Sequence, residues 1–277
     1  MSIINNYLTK NPCYASGRVI AVKGLMLHSI GCPQPDPMVF VRNWNRVDYK
    51  NACVHGFIGE RDTHITLPCM ETKGKAMRGW HCASGPKGSG NNTHLGFEMC
   101  EPATIQYTGG ATFKCTDRAK AVAYVKKTTA NAVELFAKLC LFHGLNPLAD
   151  GVIISHAEGH RRGIASNHGD PDHLWHQLGM NYSMDSFRRD VAEAMKEDDD
   201  MDQAKFNEFF RNMRADLQDN DCGEWSKAAR QWAIENGIIA GGGPGPDGKP
   251  NYMWADLLTR EQAVMLLYRF AQFMGKA

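Results

Sequence analysis

VIAVKGLMLHSI, residues 19–30, reads as one or two short buried strands that end at a histidine. VIIS at 152–155 has the same character and also runs straight into a histidine, His156. HLGFEMC at 94–100 predicts a third strand. CVHGFIGERDTHITL at 53–67 predicts a hairpin, with apolar alternation on either side of a polar turn at Glu60-Arg61-Asp62. Between these strands lies a helical pattern over 119–143. Its apolar residues Ala121, Val122, Val125, Ala132, Val133, Leu135, Phe136, Leu139 and Cys140 recur at threes and fours. A last helix is predicted over 184–195, with Met184, Phe187, Val191 and Met195 on one face. Strands first, a helix between and a strand returning predict an α/β domain, with a mixed central sheet flanked by helices. Ligands collect at the strand ends of such a sheet, where both histidines fall.

Working outward, Lys196-Glu197-Asp198-Asp199-Asp200 is a charge run that reads as a solvated linker. Its aspartates sit where the N-terminus of a following helix favours negative charge. That helix carries Phe206, Phe209, Phe210, Met213 and Leu217 on one stripe. From Cys222 a different unit begins. It has a helix with Trp225, Ala229, Trp232 and Ala233, a Gly/Pro loop GGGPGPDGKP at 241–250, and a final helix opened by a capping box, Thr259 with Gln262. The expected division is 1–195 as the catalytic domain, 196–221 as a helical linker and 222–277 as a small helical domain.

Composition narrows the function classes. The chain has 277 residues, 43% hydrophobic and 22% charged, enough for one sizeable core and a smaller unit. Lys+Arg 31 against Asp+Glu 30 leaves a net charge of +1, without the basic excess of a nucleic-acid binder. MSIINNYLTKNPCY lacks the basic and apolar regions of a secretory signal, and no apolar run is long enough to span a bilayer. The reading is a chain made in the cytoplasm; for work on cell wall, something else must release it. Nine cysteines without a CxxC pair read as reduced, buried thiols.

Chemistry concentrates at three places: His28, His156, and the stretch SNHGDPDHLW at 166–175 with Asp170. Two histidines at strand ends plus a carboxylate make a three-ligand site with an open fourth position, the pattern of a hydrolytic zinc. A lone histidine at a strand end is more often a hydrogen-bonded core residue. His156-Ala157-Glu158-Gly159-His160 is not the helical zincin motif, because the glutamate does not directly follow the first histidine. His160, His173 and His176 stay open as rival ligands.

The series VKGLMLHSIG, VHGFIG, RGWHCASG, NNTHLGFEMCEP, VIISHAEGH and NHGDPDHLW, in this order, resembles the type-2 N-acetylmuramoyl-L-alanine amidases. That family shares its fold with peptidoglycan recognition proteins and many phage endolysins. The resemblance covers about residues 5–195. It implies zinc held by His28, His156 and Asp170, and a general base at Glu98, with a bland alternative in which Glu98 is a glutamate on a solvated sheet face. The family's catalytic lysine two places before the third ligand is His168 here, which can serve an oxyanion only in the right protonation form or tautomer. Trp80 and His81 resemble the family's cleft segment and are expected to bind substrate. Trp44, Trp80 and Trp175 offer apolar walls, with plain packing as the default for each. The implied substrate is peptidoglycan, cut between N-acetylmuramic acid and L-alanine. The alternative is a recognition protein without catalysis, which in this fold typically lacks a zinc ligand. The segment EWSKAARQWAIENGII…LTREQAVMLLYRF resembles one S-layer homology motif. It implies binding of a secondary cell-wall polymer, joining of chains through 196–277, or mere capping of the preceding helix.

Overall fold

The computed structural model describes residues 1–199, 203–245 and 248–276. Asp200 of the charge run, and Pro246 and Asp247 of the Gly/Pro loop, lie outside the described residues. The chain divides into two compact units, Met1–Asp199 and Asp200–Ala277.

The first unit contains ten strands among its described residues: β1 (Ser2–Asn5), β2 (Val19–Ala21), β3 (Gly24–Ser29), β4 (Gly56–Ile58), β5 (Asp62–Ile65), β6 (Lys75–Met77), β7 (His94–Met99), β8 (Ile105–Gly109), β9 (Thr112–Cys115) and β10 (Ile153–Ser155). Its helices are α1 (Pro12–Ala15), α2 (Pro37–Trp44), α3 (Arg118–His143), α4 (His156–Arg161), α5 (Asp172–Gln177) and α6 (Met184–Asp199). Six strands form the central sheet in the order β1-β5-β4-β7-β3-β10. The β4–β5 hairpin is antiparallel, and every other pairing in that sheet is parallel. The fold is therefore mixed α/β, with a mostly parallel sheet flanked by helices.

All six residues of β3 and all six of β7 are buried. This is why they read as continuous apolar runs: a parallel strand at the centre of a sheet is covered on both faces. On one face α3 packs against β4, β7 and α6. Phe136 of α3 sits between Phe97 of β7 and Phe187 of α6, with ring centroids 5.7 and 5.2 Å away and both pairs edge-on. Asp117 opens α3 by accepting from the Lys120 amide, and Gly144 at φ 70° closes it in the left-handed conformation that glycine takes without strain. On the other face a smaller cluster, Met26, Cys82, Ile154 and Ala165, lies under α4.

The structure settles or departs from the sequence reading at several points. The helix predicted over 184–195 continues through Asp199, so Asp198 and Asp199 of the charge run stand at the C-terminal end of one helix rather than the N-terminal end of the next. The helical period that starts at Met184 is sustained by good helix formers, and Lys196 reaches back to Glu193 at 2.7 Å. Trp175 lines no cleft; it is fully buried, and its Nε1 donates to Thr129 Oγ1 at 3.2 Å. The edge strand β1 and the β8–β9 hairpin have too little alternation to be read from sequence alone. The nine cysteines are free thiols, six of them buried, with Cys222 exposed.

The second unit holds α7 (Gln203–Leu217), α8 (Lys227–Glu235) and α9 (Arg260–Phe273). Arg214 grips Asp256 through two nitrogens at 3.1 and 2.8 Å, and Gln218 adds a third bond to the same carboxylate. Thr259 and Gln262 form the expected capping box. Among the described residues no helix is long and apolar enough to cross a membrane.

Candidate active site

Strand β3 pairs in parallel with β7 on one side and β10 on the other, so the C-terminal ends of all three reach the same rim. In the β3–β7 register His28 lies opposite Glu98, which puts both side chains on the same face of the sheet. In the β3–β10 register Ser155 lies opposite Leu27, so His156 follows beside His28. His156 is also the first residue of α4. Ser155 caps that helix in a reciprocal box with Glu158, and Arg188 anchors Glu158 through two nitrogens at 2.9 and 3.1 Å. The glutamate of HAEGH is thus spent on holding the helix start, and with it the ring of His156.

His28 Nδ1 lies 3.0 Å from His156 Nδ1 and 3.2 Å from Asp170 Oδ2, and His156 Nδ1 lies 3.6 Å from Asp170 Oδ1. All three residues are buried. Tetrahedral ligands at zinc distances stand roughly 3.3 Å from one another, so this spacing fits a zinc ion. The chemistry of the donors fits as well. Both Nε2 atoms are engaged away from the centre, His28 with His81 Nδ1 at 2.9 Å and His156 with Ser166 Oγ at 3.2 Å. Two imidazole nitrogens and a carboxylate oxygen turned toward one point are held together best by a cation between them. Burial works to raise the Asp170 carboxyl, but the His28 hydrogen bond and the neighbouring imidazoles outweigh it and hold Asp170 below the usual carboxylate range. Burial, followed by His28, pushes His156 down to about 3, which keeps its ring neutral and able to ligate.

The rival histidines lie elsewhere. His160 Nδ1 contacts the Ala165 carbonyl, His173 Nε2 contacts Tyr107, and His176 is on the surface. His168 stands beside the cluster. Its ring centroid is 4.5 Å from that of His156, its Nδ1 is 3.9 Å from Asp170 Oδ1, and its side chain is 62% exposed.

A cleft of about 740 Å³ opens over these residues, and Glu98, His156, His168, Asp170, Trp44 and Trp80 are among its lining. Glu98 is 9% exposed, and its Oε2 has no hydrogen-bond partner. Burial, then the charges of Asp170 and Glu101, raise its carboxyl well above the usual range. A buried carboxyl with a free oxygen beside a cation position can exchange a proton with a bound molecule. Trp80 is tied into the floor by paired backbone bonds with Cys53 at 2.9 and 2.7 Å. His81, expected to meet substrate, is among the cleft's lining but only 8% exposed, and its Nδ1 lies 2.9 Å from His28 Nε2.

The sequence reading missed a second buried network on this rim. Glu101 accepts from the Gly31 amide at 3.0 Å, and Tyr107 lies 2.9 Å from both of its oxygens. His173 Nε2 lies 2.7 Å from the same hydroxyl. This ties the loop after β3, the end of β7, the β8–β9 hairpin and α5 together beside Glu98. Its only sequence trace is the carboxylate of Cys100-Glu101-Pro102 directly after a buried strand.

No protein-family model and no curated protein matches the chain. Solved structures do. The Staphylococcus aureus hydrolase AmiA, solved with its ligand, aligns at 19% identity over 70% of this chain and 83% of that one, with a TM-score of 0.51. A mutant endolysin from Bacillus subtilis aligns at 20% identity over 69% of this chain and 99% of that one, TM-score 0.45. The N-acetylmuramoyl-L-alanine amidase LysC from Clostridium intestinale aligns at 11% identity over 65% and 99%, TM-score 0.33. The first unit thus shares its fold with AmiA.

Burial lifts the Glu101 carboxyl from 4.5 to about 7, against the hydrogen bonds from Tyr107 and Gly31 that lower it. A carboxyl raised on folding stabilises the fold below its unfolded value and loses that contribution as pH rises through its folded value. Relative to Glu101→Gln, the unfolding free energy of the wild type should therefore fall by up to ~3 kcal/mol between about pH 4.5 and 7. Urea denaturation at a series of pH values checks this; parallel curves for the two proteins would contradict it.

Proposed function

We propose that the chain is a zinc-dependent peptidoglycan hydrolase that cuts the amide bond between N-acetylmuramic acid and the L-alanine of the stem peptide. The observation that carries this reading is the convergence of His28 Nδ1, His156 Nδ1 and an Asp170 oxygen at zinc-ligand spacing, with Glu98 on the same sheet face. The six-segment resemblance to type-2 amidases and the fold shared with the hydrolase AmiA support it.

Zinc, when held by His28, His156 and Asp170, would supply Lewis acidity to the attacking water and the scissile carbonyl. Glu98 takes a proton from the water through its free Oε2 and returns it to the departing amine of L-alanine. Its raised affinity for a proton suits the second half of that task. His168, exposed at the mouth of the cleft, takes the place of the family's lysine and donates to the oxyanion. Trp44 and Trp80 supply apolar surface for sugar or peptide. A recognition protein without catalysis would have no use for a buried, unpartnered Glu98, so hydrolysis is the reading adopted. In this role the protein works at the bacterial cell wall after release from the cell, in the manner of a phage or prophage endolysin.

The tail is assigned to targeting or assembly. Every site residue precedes Asp199, and α7 and α9 expose Phe206, Phe209, Val264, Leu267 and Tyr268, side chains suited to contact with a wall polymer or another chain.

Three outcomes are expected. His28→Ala should lose both stoichiometric zinc, measured by elemental analysis, and release of free stem peptides from walls. Glu98→Gln should keep zinc and fold while turnover falls by about 10²–10⁴-fold; stem-peptide release at the wild-type rate would make Glu98 a bystander. A chain ending at Asp199 should cleave soluble muropeptides at close to the full-length rate and lose activity mainly on intact walls, where a second binding module raises local concentration. Failure of the zinc-loaded truncation on the soluble substrate would show that the tail takes part in cleavage.

A further inference from the structure

We infer that His81 is a positioning residue: it fixes which nitrogen of His28 carries a proton and so which one is free to take the metal. The inference rests on the zinc reading above and extends it by one layer.

The argument starts from a group that cannot change its role. The backbone carbonyl of His94 can only accept a hydrogen bond, and His81 Nε2 lies 3.0 Å from it. His81 therefore carries its proton on Nε2. A neutral imidazole with a proton on one nitrogen offers a lone pair on the other, so His81 Nδ1 accepts. The partner of that Nδ1 is His28 Nε2, at 2.9 Å. His28 must then hold its proton on Nε2, which leaves the Nδ1 lone pair facing His156 and Asp170. One carbonyl thus sets the tautomer of a metal ligand through two rings. Asp170 at 3.2 Å would otherwise draw the proton to Nδ1 and block the metal position.

The ring of His81 is held in place from several directions. Asn91 Oδ1 accepts from the backbone amides of His81 and Cys82 at 2.9 and 3.1 Å. The His28 and His81 rings meet edge-on with centroids 5.1 Å apart. Beneath the ring lies Gly96, at the middle of β7. A Cβ there would come within 2.2 Å of His81 Cγ. No side chain larger than hydrogen fits between strand and ring, which accounts for a glycine in a buried strand where it otherwise weakens the sheet. Gly96 is thus part of the same device, two residues before Glu98.

The test has two independent arms. Long-range ¹H–¹⁵N spectra of the metal-free wild type read the tautomer directly, and His28 should appear with its proton on Nε2. A proton on Nδ1 overturns the inference whatever the protein does with zinc. The second arm is zinc affinity by chelator competition. Loss of an outer partner of a ligating histidine typically weakens metal binding about 10–100-fold. His81→Phe, which fills the space without an acceptor, should show that loss. His81→Gln, whose amide oxygen can accept from His28, should recover most of it. Equal affinity of wild type and His81→Phe would overturn the inference while leaving the zinc reading intact. A wild type that takes up no zinc would instead overturn the zinc reading, and the tautomer spectra would still decide the role of His81. If His81→Phe does not fold, those spectra stand without it.

Discussion

Parallel pairing of β3 with its two neighbours is the constraint on which the site depends. Because β7 and β10 run in the same direction as β3, their C-terminal ends share one rim, and residues 70 to 128 positions apart in sequence come to adjacent places without any loop having to carry them. The register then does the rest. Opposing residues on neighbouring strands point to the same face, so the pairing of His28 with Glu98 commits an imidazole and a carboxyl to a common space. A slip of one residue in either strand would turn His28 or Glu98 to the opposite face. The apolar residues on either side, Leu27 and Phe97 among them, resist that slip because each is fully buried where it stands.

The same rim gathers groups that are costly to bury. Glu98, Glu101 and Asp170 are all nine-tenths or more buried. Three buried carboxyls tolerate one another only when protons, hydrogen bonds or cations separate their charges. Each has a different solution. Asp170 keeps its charge through the two imidazoles, Glu101 is surrounded by donors from Gly31 and Tyr107, and Glu98 keeps one oxygen without a partner. That division distinguishes them chemically. A fully satisfied carboxyl is held in place, whereas an unsatisfied one is available for reaction.

What could be read from sequence, and what could not, follows from the range of the interactions. The strands ending at His28 and His156 were legible because a buried strand leaves a local apolar run, and the helix over Arg118–His143 because its period is sustained for seven turns. The role of His81 was not legible. Its partners are 53 and 13 residues away, and a histidine beside a tryptophan reads as a cleft residue with nothing local to pair it with His28. Gly96 gave a signal without a cause: a glycine inside a buried strand marks a close approach but does not say of what. The network of Glu101, Tyr107 and His173 depends on a hairpin whose strands carry little alternation, so its members could not be joined in advance. Trp175 and the charge run were undecided for opposite reasons. The first is apolar enough for wall or core and only packing decides, and the second is polar enough for linker or helix and only continuity with Met184 decides.

The two units answer the demand for burial in different ways. The first closes on itself, with edge-on phenylalanines between sheet and helices and few large apolar side chains left outside. In the second, Ala233 and Ile238 are the buried hydrophobic residues among those described, while Trp225 is 92% exposed and α9 shows Val264, Met265, Leu267, Tyr268 and Phe270 at its surface. A helix with apolar residues around most of its circumference gains little from water on any side. Its polar anchors, the Arg214–Asp256 pair and the Thr259 capping box, set where helices begin and how they cross, but they contribute little apolar burial. The stability of this unit therefore leans on directional contacts more than on a core. A surface of that composition is chemically disposed to be covered.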